Sequence, residues 1–261
     1  MRRQWLIGVL TLPFVVAAAL LLALWFWTDS DTSLASALNQ AARYLPAGQT
    51  LETQDVRGSL RRGGHIGLLR WKLNDLTIEA RQVDLVWQPI ALLDRRLQLD
   101  TLHVGQLTID NTGPSTAHVP LEQLVLPFEV DVAFVIDVLR WNGPPALDAR
   151  VLAGRYQFGT EQNEQRHALT LDSATLAAGQ YSAKATLQAH APLTLDAQVK
   201  GLLETTVPGS TRTLAVDATA TAHGDLAGPE GLLAVQAALQ PATTSAAPAS
   251  AATQQIGRAH V

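Results

Sequence analysis

From Leu51 onward the chain keeps a period of two, and this limits it to strands. Val83/Leu85/Trp87 alternate with Gln82/Asp84/Gln88, and Leu97/Leu99 with Gln98/Asp100. Successive side chains therefore fall on opposite faces, one apolar and one wet. Gly, Asn, Asp and Pro turn signals divide the pattern into predicted strands at 65–73, 76–80, 83–87, 97–104 and 106–111, followed by an Asn111-Thr112-Gly113-Pro114 turn. Further strands are predicted near 124–141, 146–158, 167–176, 181–190, 193–201, 213–223 and 232–240. Helical spacing occurs twice in the body. Leu34, Leu38, Ala41, Ala42 and Leu45 mark a short amphipathic helix over Ser30–Leu45, with Asp31 or Thr32 as N-cap and Pro46-Ala47-Gly48 as its stop, and Pro89–Leu93 reads as a single helical turn.

Residue size changes along the body. Early strands carry Leu, Val, Ile and Trp, whereas the apolar face of 213–223 is Leu214, Val216 and then Ala218, Ala220 and Ala222. An alanine face buries little area, at about 25 cal/mol per Å². Such strands lean on their neighbours, which fits an elongated sheet stacked strand by strand better than a thick sandwich. Alternation by itself favours an ordinary dry core, because periodicity does not distinguish a dry face from a lipid-covered one.

Ahead of this body, no charged residue stands between Arg3 and Asp29. The apolar run from Trp5 to Trp27 is long enough, at roughly 1.5 Å per helical residue, to cross a hydrocarbon core of roughly 30 Å. Trp25-Phe26-Trp27 resembles an interfacial aromatic belt. Arg2 and Arg3 before the span, with Asp29 and Asp31 after it, predict a cytoplasmic N-terminus and an exported body. The rival reading is a cleaved signal peptide, whose apolar stretch is shorter and ends in a small-x-small site. The expected organisation is an anchor over 1–28 (Arg2, Arg3, Trp5, Trp25, Trp27), amphipathic helix and linker over 29–50, and a β-rich body over 51–240. An Ala/Thr/Ser/Pro-rich segment follows over 241–255. The last six residues, Ile256 to Val261, resemble a translated sequencing adapter, so the expectation is a fragment of a longer protein.

A net charge of −4 with no basic cluster in the body removes nucleic acid as a partner class, and the absence of cysteine removes disulfides and thiol chemistry. There is no nucleophile signature, phosphate-cradling loop or zinc motif, so no catalytic, cofactor or metal residue is assigned and the expectation is a non-enzyme. Gly63-Gly64 beside Arg61-Arg62 reads as a tight turn between strands. His65, His103, His118, His167, His190 and His223 are scattered and read as surface or strand-edge residues. Asp84, Asp100, Asp110, Asp131 and Asp137 read as a solvated face, with Asp131 and Asp137 also discouraging edge-to-edge aggregation.

Val56-Arg57-Gly58-Ser59-Leu60, the pair Leu76-Thr77-Ile78 and Val83-Asp84-Leu85-Val86-Trp87, the step Pro89-Ile90-Ala91-Leu92-Leu93, and Leu97 through Leu107-Thr108-Ile109 follow the anchor in order. Together they resemble the N-terminal region of the TamB family in the AsmA-like superfamily, over roughly Met1 to Asn111. The resemblance implies a mostly β protein: a single-pass helix in the bacterial inner membrane, then a periplasmic, taco-shaped groove with an apolar lining. It also implies transport of phospholipid toward the outer membrane, assistance to autotransporter assembly, and a partnership with the Omp85-type protein TamA through a C-terminal region absent from these residues. Leu85, Trp87, Leu97, Leu99, Leu107 and Ile109 are the candidate lining for acyl chains. The alternative is an anchored scaffold of a secretion system, similar to the type II secretion N protein. A third reading, an anchored enzyme, lacks a catalytic cluster.

Overall fold

A computed structural model describes residues 25–111, 123–143, 145–161, 164–177, 179–206, 213–227 and 232–242. Among these, one sheet of 11 strands runs in strict chain order and stays open between its first and last strands. The strands are β1 (Gln49–Ser59), β2 (Gly63–Leu73), β3 (Leu76–Trp87), β4 (Arg96–Asn111), β5 (Glu129–Trp141) and β6 (Leu147–Glu161). They continue as β7 (Glu164–Leu176), β8 (Gly179–Gln188), β9 (Thr194–Thr206), β10 (Thr213–Asp225) and β11 (Leu233–Pro241). All neighbours pair antiparallel except β4 with β5, which are parallel. The mostly β class and the strand-by-strand stacking thus stand as the alternation and the thin alanine face indicated.

One helix, α1 (Ser33–Arg43), packs against β1 and puts Leu38 onto the sheet's apolar core. Its N-cap is Thr32, but neither Thr32 nor Asp31 caps it through a side chain. Buried Ser33 links the helix to the sheet. Its hydroxyl donates to the carbonyls of Thr28 and Ser30 at 3.0 and 2.7 Å and accepts from Leu60 N–H at 2.9 Å. The step at Pro89–Asp94 is a 3-10 turn, with Pro89 at its start and Arg95 left-handed at its end.

Three local readings need correction. Gly63 and Gly64 are not the turn: they open β2 opposite Ser59 and Gly58, and Leu60-Arg61-Arg62 makes the turn. Glycine is required there because a Cβ at Gly64 would stand 2.1 Å from the carbonyl oxygen of Arg57. Asp131 and Asp137 guard no edge, since β5 is paired on both sides. Strand β5 begins at Glu129 rather than Leu124, and Leu124 instead donates its N–H to Ala189 O at 2.7 Å.

The predicted breaks at 81–82 and at 105 are not strand ends. They belong to a crease that crosses the sheet. Asp55, Gln82 and Val151 are left-handed in mid-strand, with φ of 52°, 53° and 52°. The ladders skip these residues together with Gly67, Gly105 and Asp137, which stand opposite them on the intervening strands. The side chain over each glycine explains its identity: a Cβ at Gly67 would lie 2.8 Å from Asp55 Cβ, and one at Gly105 would lie 2.7 Å from Gln82 Oε1. Strand β7 continues the irregularity as a register shift between Leu171 and Ala174. Left-handed residues and bulges bend and twist a ladder, and here they switch which alternate residues face inward. Ile66 and Leu69, Ala80 and Val83, and Val104 and Leu107 all pack in one core cluster. Ile136 and Leu139, Ala149 and Leu152, and Leu171 and Ala174 pack in a second. On a regular strand, residues with that spacing face opposite ways.

The segment predicted to span a membrane lies outside the described residues up to residue 24, including Arg2, Arg3, Trp5 and Pro13; His118 and residues 243–261 also lie outside them. Among the described residues no helix is long and apolar enough to cross a membrane. Trp25 and Trp27 fall in a helical turn before α1, and both are about half exposed.

Candidate functional site: the apolar face of the sheet

Register decides which side chains share a face. Gly64, Leu85, Leu102, Phe134, Gly154, Leu171, Ala183, Val199, Ala220 and Ala237 are successive partners from β2 to β11. The row is apolar from end to end. Leu85 and Leu107 pack against the first core cluster. Trp87 follows Leu85 by two on the same strand, Leu99 is its register partner, Leu97 precedes Leu99 by two, and Ile109 follows Leu107 by two. All six predicted lining residues therefore lie on one face, each partly accessible.

The face is deep over β2–β7 and shallow beyond. Ile66, Val83, Val104 and Leu152 are buried, whereas β11 is exposed throughout, with Val235 at 63% and Leu239 at 71%. Tyr181 fills the place where side chains are missing: its ring lies where a Cβ on Gly201 would sit, within 2.5 Å, and beside Gly179 at 2.8 Å. Toward the tips of β6–β8 the segment after Gln123 closes over the sheet. Buried His167 sits there, with Nε2 at 2.7 Å from Leu124 O and Nδ1 at 2.7 Å from the Tyr156 hydroxyl. These partners fix the tautomer: Nε2–H donates to the carbonyl and Nδ1 accepts from the phenol. Burial pushes the Tyr156 phenol above its ordinary pKa, which keeps it a donor. His167 is thus a satisfied interior residue rather than the surface histidine its sequence position suggested. Its register partner Phe158 packs against it, with ring centroids 4.7 Å apart, a contact that leaves no local signal in the sequence.

The opposite face carries the charge. Arg70 reaches Glu79 Oε2 at 2.7 Å and Glu52 at 3.3 Å, and Arg81 reaches Glu79 Oε1 at 2.7 Å. Hydrogen bonds from Arg70 and then Arg81 hold the Glu79 carboxyl below the ordinary range. Arg155 grips Asp131 and lowers its pKa in the same way. His65, His103 and His223 face Asp84, Asp137 and Asp196 on neighbouring strands. Among the described residues no group of three or more His, Asp or Glu is placed to hold a metal ion. Of the aspartates read as a solvated face, Asp84, Asp131 and Asp137 pair across strands with His65, Arg155 and His103, whereas Asp100 accepts from Gln88 and Gln98 and Asp110 from Asn142.

The geometry is that of a one-layer sheet with one charged, paired face and one apolar face partly open to solvent. It can cover long, flexible apolar chains; on the polar face, Glu79, Asp131, Asp84, Asp137 and Asp196 already have basic partners. Comparisons with protein-family models, with curated proteins and with solved structures return no match for this chain.

Proposed function

We propose that this chain belongs to an inner-membrane anchored protein of the TamB kind. In this reading the curled sheet stands in the periplasm as a groove and carries phospholipid acyl chains toward the outer membrane, without catalysis. Assistance to autotransporter assembly, and TamA as the outer-membrane partner, come with the same reading through the family resemblance. One observation carries it: an apolar row runs from β2 through β11 across a sheet that stays open among the described residues. An uncovered face of this kind costs free energy in water, and each acyl methylene laid on it recovers about 0.8 kcal/mol.

The test is mass spectrometry of lipids that copurify with the detergent-extracted full chain, together with photocrosslinking from Leu97. Phospholipid crosslinked at Leu97, and its loss in Leu85→Asp and Leu97→Asp variants that keep their strand content, is the expected result. A folded chain free of lipid would leave the apolar face to protein. That outcome favours the alternative, an anchored scaffold of a secretion system. The outer edge of β11, which pairs with no other strand among the described residues, supports the scaffold reading, since such backbone groups offer a place for a partner strand.

A further inference from the structure

At one end of the sheet the helical turn at Trp25, the β1–β2 tip and the 3-10 turn after β3 enclose a cavity of about 680 Å³. Its walls are almost entirely carbon, from Trp25, Leu60, Trp87, Ile90, Leu92 and Leu93. Thr28, Arg61 and Gln88 also line it, and of the polar groups here two lack a polar partner among the described residues. The Trp87 indole Nε1 is buried without a hydrogen-bond partner, although an indole can only donate and buried donors are normally satisfied. The Arg61 guanidinium also lines the cavity, 3.8 Å from the centroid of the Trp25 ring. Its neighbour Arg62 is neutralised by Asp29 at 2.8 Å, whereas Arg61 has no carboxylate partner among the described residues. An apolar hollow with one orphan donor and one cation at its wall is complementary to an acyl chain joined to a phosphate-bearing head.

We infer that this cavity seats the glycerol and upper acyl region of a phospholipid taken from the bilayer, with Trp87 Nε1–H donating to an ester oxygen and Arg61 facing the phosphate. The source is argued from position. Trp25 is the continuation of the apolar run from Trp5; Ile90 and Leu93 of the cavity wall stand 69% and 85% exposed, and Phe26, next to Trp25 in the chain, 72%. Exposed aromatic and aliphatic side chains next to uncompensated arginine suit a lipid–water boundary. Trp87 also connects the cavity to the apolar face, because it is the register partner of Leu99. The inference rests on the groove reading and gives it the place where lipid is loaded.

The full chain reconstituted in vesicles of phosphatidylethanolamine and phosphatidylglycerol, with a trace of phosphatidylglycerol carrying a diazirine on its acyl chain, provides the test. Labelled peptides are mapped by mass spectrometry. Label is expected at Leu60–Arg61 and at Ile90–Leu93, and separately at Leu97 and Leu107. Trp87→Phe, which keeps the aromatic wall and removes the donor, and Arg61→Gln should each lower cavity labelling, Arg61→Gln by roughly tenfold, the size of one hydrogen bond to a charged group. Wild-type circular dichroism in both variants excludes misfolding. Label at Leu97 and Leu107 but not at the cavity would overturn this site and leave the groove standing. Label at the cavity alone would support the site and remove the groove. Equal labelling by a neutral diacylglycerol with the same diazirine chain would overturn the roles of Arg61 and the phosphate.

Discussion

Strands β1–β7 and β8–β11 share one sheet and one apolar face, yet only the first group builds a buried core. Two things differ. The first strands bring Ile66, Val83, Val104 and Leu152 to the face, and a crease at Asp55, Gln82 and Val151 folds the ladder so that residues on both sides of it converge. From β8 to β11 the register is regular, with none of the shifts seen in β3–β7, and small residues such as Ala183, Ala197, Ala218, Ala220 and Ala222 thin the apolar face. A single layer thus acquires depth from bending as well as from residue size. A flat alanine-lined stretch remains a surface.

The largest expected effect separates the two regions by stability. Ile66→Ala, at a position only 2% exposed, should cost about 2–5 kcal/mol in urea unfolding of the extracted chain. Val199→Ala, at 37% exposed on the same face, should cost about 1 kcal/mol or less. Equal losses would mean that the second region is packed as deeply as the first.

The crease is tested next. Gly105→Val would push a Cβ to 2.7 Å from Gln82 Oε1 and 3.1 Å from Gln82 Cβ, and overpacking of this kind costs about 1–3 kcal/mol. Adding Gln82→Gly removes both the obstructing side chain and the left-handed penalty. The double variant should then recover most of the loss, and strict additivity of the two changes would show that these residues do not meet.

Much of the fold was readable because each strand is amphipathic on its own and joins its sequence neighbour. The crease was readable only as interruptions. Gln82 and Gly105 break the alternation, and alone each resembles a strand end. It takes pairing to show that they stand opposite one another and that the strands pass through them. Strand β4 shows how alternation gave the right outcome for an incomplete reason. Counting by two from Leu97 and Leu99 puts His103 inward and then Leu107 and Ile109. In fact the register shift between Leu99 and Leu102 turns Leu102 and Val104 inward and His103 outward, toward Asp137. Gly105 then reverses the order again, so Leu107 and Ile109 return to the predicted face. The cross-strand partners of His65 and Asp131, and the cavity beside Trp87, depend on contacts distant in sequence and leave no local periodicity to read.

Val151 allows the crease to be sharpened rather than broken. A β-branched residue at φ 52° is strained, and its side chain is 59% exposed, so little burial would be lost on replacement. Val151→Asn, which tolerates the left-handed conformation, should stabilise the chain by about 1 kcal/mol in the same urea assay. A destabilised variant would mean that Val151 contributes packing that its exposure does not reveal.

The smallest effect concerns the charged face. Glu79 and Asp131 both have folded pKa values below their ordinary ones because Arg70, Arg81 and Arg155 hydrogen-bond the ionised carboxylates. The stability they contribute is fully present above the ordinary carboxylate range of about 4 and is lost as pH falls through the lower folded values. Both pairs lie in β1–β7, so acid should loosen that region first through this mechanism. Hydrogen exchange compared at neutral pH and at pH near 3 should show amide protection falling around Glu79 and Asp131 more than across β9 and β10. Solvent exposure of the arginines limits the size of the change, and added salt should reduce it further. Protection lost equally in both regions would trace the acid response to general charge repulsion rather than to these pairs, and Glu79→Gln, which removes the titration, should abolish the difference at its own site.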